Sequence, residues 1–144
     1  MDEMIVDFIA RQRVISLCCI DEENKPYCFS CFYAFDREKQ LFYFKSGSNT
    51  RHSSLLLSNP AVAGTIQPDR LNPLAIKGIQ LTGCVLPSDD GRTAHAETAY
   101  YRRFPFALAM PGNVWTLQPE SIKMTDSTLG FGKKIHWKLG ELVH

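Results

Sequence analysis

The chain has 144 residues, of which 16 are basic and 15 are acidic, so its formal charge is only +1. This charge gives no long-range field to attract nucleic acid or an anionic membrane, and any bound anion must be held by a local pocket. No apolar run approaches the roughly 20 residues that cross a bilayer, and the acidic start at Met1–Met4 is unlike a signal peptide. We therefore expect a single cytoplasmic domain over residues 1–144, with no nucleic-acid partner and no membrane partner.

The cysteines are odd in number and lie in apolar, strand-like runs, at Cys18, Cys19, Cys28, Cys31 and Cys84. Such usage is typical of reduced core residues rather than of a disulfide framework. Cys28 and Cys31 have the spacing of a metal or redox pair, but they fall in an aromatic stretch typical of a strand. Residues three apart on a strand point to opposite faces, so the sequence favours buried thiols and we expect no metal site.

The first third of the sequence predicts a helix followed by three antiparallel strands. Residues 2–11 carry apolar side chains at helical spacing and predict an amphipathic helix that covers one end of a barrel. Residues 14–20 and 27–35 predict two strands joined by a polar turn, and residues 40–45 predict a third. Both faces of the segment 27–35 are apolar, which indicates a central strand.

The middle of the sequence predicts a short helix and two more strands. Residues 53–58 are expected to form the helix, which ends before the following proline. Residues 61–67 predict a strand, and residues 74–86 predict a longer one that contains Gly78 and Gly83. Glycines inside a strand usually mark bends or bulges, as at the corners of a barrel.

The last third predicts a helix over residues 89–104 and closing strands over residues 114–117, 122–125 and 134–139. Together these elements amount to six or more antiparallel strands and three short helices. We therefore predict an α+β protein, mainly antiparallel β, built as a small closed β-barrel with short covering helices.

A polar segment between the third strand and the next helix is the best candidate for chemistry. It combines cations, hydroxyls, an imidazole and a glycine at a helix start, where backbone N–H groups and the helix dipole favour anions. These features suit a phosphate monoester, but a plain helix cap with solvated charges accounts for them about equally well. The candidate residues are Lys45, Ser46, Ser48, Thr50, Arg51 and His52.

Basic and aromatic residues alternate over Tyr100–Phe106, a pattern that can bind nucleic acid. At the end of a helix, however, cations complement the dipole and the following proline ends the helix, while aromatic rings pack on the sheet. The sequence therefore favours a structural role for this segment.

The order of these elements, with Leu55–Gly64 and Lys77–Gly83, resembles the flavin-binding split barrels of the pyridoxamine 5′-phosphate oxidase superfamily. The motifs Asn49–His52, Tyr101–Pro105 and Ile122–Lys134 look like the YhbP-like branch of that superfamily. The resemblance covers nearly the whole chain. It implies a split barrel and a homodimer whose two FMN molecules lie in clefts between the subunits.

Carried over to this chain, the resemblance makes Thr50 and Arg51 phosphate ligands, with Ser46, Ser48 and His52 close by and Lys45 as a second cation. Gln80 is then the amide for the polar edge of the flavin. The C-terminal segment of either subunit would reach the cleft through Lys133, Lys134 and Trp137.

Two positions depart from the oxidases of this superfamily, since Tyr33 stands in place of their lysine and Cys28 in place of their arginine. The resemblance therefore implies a small flavin-dependent oxidoreductase or flavin reductase, with a nicotinamide as a possible electron donor, and not a standard pyridoxamine phosphate oxidase. Because the flavin does the electron chemistry, no catalytic side chain is singled out. A flavin or haem carrier or sensor without turnover, and a structural interaction module on the same barrel, stay open as alternatives.

Overall fold

A computed structural model describes residues 1–130 and 133–141, so Phe131 and Gly132 of the Ile122–Lys134 motif lie outside it. The strands are β1 (Val14–Ile20), β2 (Pro26–Asp36), β3 (Leu41–Ser46), β4 (Ala61–Ile66), β5 (Lys77–Val85), β6 (Asn113–Asp126) and β7 (Lys134–Lys138). The α-helices are α1 (Glu3–Arg11), α2 (Arg51–Ser58) and α3 (Ala96–Arg103), and short 3₁₀ turns occupy Gly91–Thr93, Pro105–Ala109 and Ser127–Leu129.

The strands form one antiparallel sheet in the order β3-β2-β1-β4-β5-β6-β7, and an additional pairing between β3 and β6 closes the first six into a barrel. The last strand, β7, extends the sheet beyond β6. The predicted α+β fold class, a closed antiparallel barrel with short covering helices, is confirmed. None of the helices in the described ranges is long and apolar enough to span a membrane.

The barrel is split along the strand β2. Residues 26–32 of β2 pair with β1, whereas residues 33–36 pair with β3. Beyond that point β3 pairs with β6, through residues 42–46. The helix α2 follows β3 and packs against β1 and β2. The connection from β3 to α2 therefore lies where the two halves of the barrel separate.

The main core fills the barrel with inward side chains from alternate strand positions, among them Leu17, Phe42 and Leu117. Burial of each such side chain contributes about 1.5–3 kcal/mol. The helix α1 adds Ile5 and Ile9 to this core, and its first turn is capped by the side chain of Asp2. The amphipathic helix predicted over residues 2–11 is thus present and covers one end of the barrel.

A second apolar cluster covers the outer face of β3. Leu41 and Tyr43 point away from the barrel and pack with Tyr100 and Phe104 at the end of α3. Phe42 points into the barrel. The strand β3 is consequently buried on both of its faces, and the basic and aromatic segment near Tyr100 contributes to packing.

Two predicted segments have different boundaries because local contacts override the sequence pattern. The helix expected over residues 89–104 is interrupted, since Asp90 caps a separate 3₁₀ turn and α3 begins only at Ala96. The strands expected at 114–117 and 122–125 are one continuous strand, β6. It passes through Pro119, which lies opposite Gly83 at a register shift, where proline is tolerated.

Exposure corrects one further strand boundary and shows which half of the central strand β2 is uncovered. The strand predicted over residues 74–86 begins at Lys77, and Leu74 and Ile76 lie exposed in the preceding loop. The strand β2 has partners on both sides, but its first half is open to solvent, with Tyr27 and Phe32 at 36% and 43% exposure. An apolar pattern on both faces does not distinguish a strand buried in the core from one whose outer face is uncovered.

We predict that Gly83→Ala lowers the free energy of unfolding by about 1–3 kcal/mol or more, because the new methyl would overlap backbone. A Cβ at Gly83 would lie 2.4 Å from the carbonyl oxygen of Gln118. The matched control on the same strand is Gly78→Ala, whose Cβ would meet only the carbonyl of Ile66, at 3.5 Å. Urea unfolding followed by circular dichroism should show a change within about 0.5 kcal/mol for the control. Equal effects of the two substitutions would contradict the packing seen at the bulge.

Candidate functional site

Four polar side chains at the split of the barrel form one hydrogen-bonded cluster, which we call the hydroxyl cluster: Ser46, Thr50, His52 and Ser53. The Ser46 hydroxyl lies within hydrogen-bond distance of His52 Nε2 and 2.8 Å from Ser53 Oγ. Ser53 Oγ donates to the carbonyl of Gly47 at 2.7 Å. The cluster therefore brings together three of the residues predicted from sequence, and it adds Ser53.

The backbone of this turn is held by a helix cap and by a close contact with a second turn. Thr50 is the N-cap of α2, and its Oγ1 accepts from the backbone N–H of Ser53 at 3.2 Å. Gly112, at φ +127°, approaches the carbonyl of Ser46 so closely that a Cβ would lie 2.9 Å from its oxygen. The plain helix cap considered from the sequence is thus present, and the turn is fixed from both sides.

The ring of His52 closes the split against an aromatic side chain of β2. It stacks on Phe29, with 3.9 Å between ring centroids and 7° between planes. Burial lowers the pKa of His52 below its ordinary value, which favours the neutral imidazole near pH 7. Phe29 was missed as a site residue, and only its place on the inward face of a predicted strand points to it.

Arg51 is the first residue of α2, between the cluster residues Thr50 and His52 in the chain, and its side chain is 48% exposed. Its guanidinium carbon is 5.4 Å from the centre of the Tyr27 ring. Two carboxylates of the β1–β2 turn face it, Glu22 at 3.4 Å and Asp21 at 3.8 Å. Neither contact is shorter than 3.4 Å and the guanidinium is about half exposed, so these ion pairs are weak and the guanidinium is available to a stronger anionic partner. Ser48 is exposed in the same turn.

Lys45 points away from the cluster because adjacent strand residues face opposite sides. Its Nζ donates to the carbonyls of Ala107 and Met110, each at 2.6 Å, and lies 4.9 Å from the centre of the Tyr101 ring. The structure therefore places Lys45 beneath the 3₁₀ turn Pro105–Ala109 and apart from Arg51.

Tyr33 also lies apart from the cluster. It is fully buried, and its hydroxyl donates to the carbonyl of Ile9 at the end of α1. Arg103 lies over its ring, 5.7 Å from the centroid. Burial raises the pKa of Tyr33. In this arrangement the hydroxyl joins α1 to the barrel.

Gln80 and Trp137 line a shallow groove of about 290 Å³ on a different part of the barrel. Lys123 and His136 lie in the same groove, because the register pairs Gln80 with Lys123 and Lys123 with His136. The Trp137 residue is 8% exposed and belongs mainly to the core. The two other C-terminal candidates, Lys133 and Lys134, are exposed at the start of β7.

Cys28 is exposed on the outer face of the barrel, whereas Cys31 belongs to the inner face and packs against the main core. Burial raises the pKa of the Cys31 thiol to about 12. The expectation that these two cysteines face opposite sides is confirmed, and the expectation of a buried thiol is wrong for Cys28. Among the residues that the structure describes, no three His, Cys, Asp or Glu side chains lie together as around a metal ion.

The donor set around α2 fits a phosphate monoester. The guanidinium of Arg51 is a bidentate donor, Ser48 adds an exposed hydroxyl, and the first N–H groups of α2 carry the positive end of the helix dipole. The hydroxyls of the cluster, by contrast, are engaged with one another and with Gly47. They hold the turn in shape.

The chain is similar in sequence to several bacterial proteins of one family. It is 40% identical to a UPF0306 protein of Photorhabdus laumondii over 136 residues, which is 94% of each chain. It is 37% identical to a UPF0306 protein of Enterobacter sp. strain 638 over 134 residues, covering 93% of this chain and 94% of the other. No family model matches the sequence.

Several solved structures share the fold at low identity. A haem-binding protein of Mycobacterium smegmatis superposes with a TM-score of 0.75 at 18% identity, over 91% of this chain and 55% of the other. An FAD-binding protein of Mesorhizobium loti gives 0.68 at 16% identity, over 88% and 94%. The haem storage protein HutZ of Vibrio cholerae gives 0.64 at 16% identity, over 83% and 89%.

The half-buried His52 predicts a pH-dependent stability. Because its pKa in the folded protein lies below the ordinary value of 6.5, the unfolded chain binds a proton more readily just below that pH. The free energy of unfolding should therefore fall as the pH is lowered through about 6.5. His52→Gln should remove part of this fall, measured by urea unfolding between about pH 5 and 8.

The control for this measurement is His136→Gln, because His136 is exposed. It should retain the pH dependence of the unmodified protein. The interpretation fails if the two variants lose stability with falling pH to the same extent.

Proposed function

The chain belongs to the UPF0306 family, and we propose that it is an FMN-binding protein that acts as a small flavin-dependent oxidoreductase or flavin reductase. One observation carries this proposal. A loosely held guanidinium, that of Arg51, stands at the start of α2 beside the hydroxyl cluster, on a barrel whose solved counterparts include an FAD-binding protein. The predicted resemblance to flavin-binding split barrels is in keeping with this arrangement.

Arg51, Ser48 and the first N–H groups of α2 would hold the phosphate of FMN. Thr50 and the rest of the hydroxyl cluster keep these donors in position. Lys45 would add a second cation only if it released the carbonyls of Ala107 and Met110. When bound, FMN would supply electron transfer between substrates, with a nicotinamide as a suitable donor. The protein's own part is to bind the phosphate and to shield the ring.

A second subunit is part of the proposal, because exposed apolar side chains border the split barrel. Phe106 and Leu108 are 58% and 67% exposed, and Phe106 packs edge-on against the exposed Phe32. A group of neighbouring exposed apolar residues is typical of a surface that another chain covers. We propose a homodimer, in which the C-terminal segment with Lys133 and Lys134, anchored by the core residue Trp137, and the amide of Gln80 complete the cleft.

The environment of Tyr33 and Cys28 supports an activity other than standard oxidation of pyridoxamine phosphate. The Tyr33 hydroxyl donates to the carbonyl of Ile9 in α1. The Cys28 thiol adds no positive charge at a position where related oxidases carry an arginine. A substrate phosphate would therefore lack two of its usual cations.

A haem carrier or sensor is the second candidate, and the groove beside Gln80 is the observation that favours it. His136 would bind the haem iron there, and Lys123 and Lys138 would pair with the propionates. The solved counterparts of the barrel include a haem-binding and a haem storage protein.

We predict that Arg51→Ala weakens FMN binding by about 10- to 100-fold, the loss typical of a charge-assisted hydrogen bond. Fluorescence quenching of titrated FMN measures the dissociation constant. The control is Arg37→Ala, because Arg37 is also exposed and ion-paired, at 3.0 Å from Asp7. Equal affinity of the two variants, or no binding by the unmodified protein, would refute the phosphate site.

A second substitution should act in the opposite direction. Glu22→Gln removes a carboxylate that competes for Arg51, so FMN should bind up to about fivefold more tightly. Glu23→Gln is the control in the same turn, because Glu23 pairs with Lys25 at 3.0 Å. It should leave the affinity unchanged.

Reduction separates the enzyme from the carrier. Anaerobic mixing of the FMN-loaded protein with NADH or NADPH should bleach the flavin absorbance if the protein is an oxidoreductase. A haem carrier should instead bind haemin with a shifted Soret band that His136→Ala abolishes and His95→Ala preserves, since both histidines are exposed. Binding of neither ligand would leave only the interaction module.

A further inference from the structure

Two cysteines lie side by side on the outer surface of the barrel. The register of the β1–β2 hairpin places Cys18 directly opposite Cys28. Cys28 is exposed, Cys18 is half-buried, and both are free thiols. Neither belongs to the main core or to the hydroxyl cluster.

The pair occupies a narrow position of the ladder, where opposed side chains are closest. In an antiparallel ladder, hydrogen-bonded and non-hydrogen-bonded pairs alternate. The N–H of Tyr33 donates to the carbonyl of Arg13 at 3.0 Å, which marks one end of the hairpin as a hydrogen-bonded pair. The two kinds of pair alternate from Arg13–Tyr33 onwards, so the fifth pair after it, Cys18–Cys28, is non-hydrogen-bonded. Their Cα atoms are then about 4.5 Å apart, within the range that a disulfide spans.

The two thiols also influence each other. The pKa of Cys18 is raised, first by burial and then by hydrogen bonding with Cys28 and by its charge. The other cysteines have different neighbours. In the ladder, Cys19 is opposite Tyr27, Cys31 is opposite Ile15, and Cys84 is opposite Ala61. Cys18 and Cys28 are thus the cysteines that the register places together.

We propose that Cys18 and Cys28 form a reversible cross-strand disulfide with a low-molecular-weight disulfide as the oxidant. The exposed Cys28 thiol loses its proton to solvent and attacks one sulfur of the oxidant, releasing the first thiolate. Cys18 then loses its proton and attacks the Cys28 sulfur of the mixed disulfide, releasing the second. Two protein thiols are oxidised to one disulfide, and one small disulfide is reduced to two thiols.

The geometry favours a readily reduced disulfide over a permanent structural cross-link. Cβ atoms across a ladder are about 4.5–5.5 Å apart, somewhat less in non-hydrogen-bonded pairs, whereas a disulfide prefers about 3.8 Å. Closing the gap strains the hairpin, and strained, exposed disulfides are the more easily reduced ones. The hydrogen bonds between β1 and β2 already order this hairpin, so the disulfide would add little further constraint. The proposed disulfide does not depend on whether the protein binds FMN.

The test equilibrates the full-length native protein in glutathione buffers that run from reduced to oxidised, followed by alkylation of the remaining thiols in denaturant. Mass spectrometry should find all five cysteines alkylated in reduced buffer and two fewer in oxidised buffer, with no attached glutathione. Returning the oxidised protein to reduced buffer should restore all five.

Cleavage before Asp21 and Asp36 separates the peptide with Cys18 from the peptide with Cys28, so the linked pair can be isolated. Cys18→Ser and Cys28→Ser should each abolish the linked pair. Cys84→Ser is the matched control and should preserve it, because Cys84 lies half-buried on β5.

Four outcomes would overturn the proposal. These are a full count of alkylated thiols at every ratio, two glutathione adducts in place of a disulfide, a linked pair that survives either single serine variant, and a bond that reduced glutathione does not reverse.

Discussion

The strand β3 is the constraint on which the rest of the structure depends. It is paired with β2 along one edge and with β6 along the other, and its faces are covered by the barrel core and by α3. A strand enclosed on four sides has its register strongly determined, because a shift by one residue would exchange its inner and outer side chains. Ser46 must therefore face the split and Lys45 must face the outer cluster.

That constraint also bears on how a nearly neutral protein could hold the phosphate proposed at the start of α2. The formal charge is +1, so attraction from a distance is weak and local geometry has to provide the affinity. Closure of the barrel brings the N-terminus of α2 to the split. The side chains of the hydroxyl cluster hydrogen-bond to one another and to Gly47, and so hold that N-terminus in place. The carboxylates of Glu22 and Asp21 lie against the remaining cation. In the proposed site, specificity would depend on whether an incoming group is a better partner for Arg51 than these carboxylates.

The fold class, most strand positions and the cap at Thr50 were predictable, because alternation, turn residues and capping chemistry are local properties. The stack of His52 on Phe29 and the carbonyl partners of Lys45 were not, since they join residues 23 and 62 or more positions apart and arise only when the barrel closes. The strands predicted at 114–117 and 122–125 join into one, because the register shift opposite Gly83 accommodates Pro119. The exposure of Cys28 could not be predicted from the sequence, because the apolar pattern of β2 is the same over its covered and uncovered halves.

The hydrogen bonds from Lys45 to the 3₁₀ turn Pro105–Ala109 connect an exposed apolar surface with the hydroxyl cluster. Lys45 holds that turn by two carbonyls, and the next residue, Ser46, belongs to the hydroxyl cluster. The side chains of Phe106 and Leu108, which belong to that turn, are exposed. If the proposed second subunit covers these side chains, it packs on the turn that Lys45 binds, so the dimer surface and the hydroxyl cluster would be joined through adjacent residues of β3.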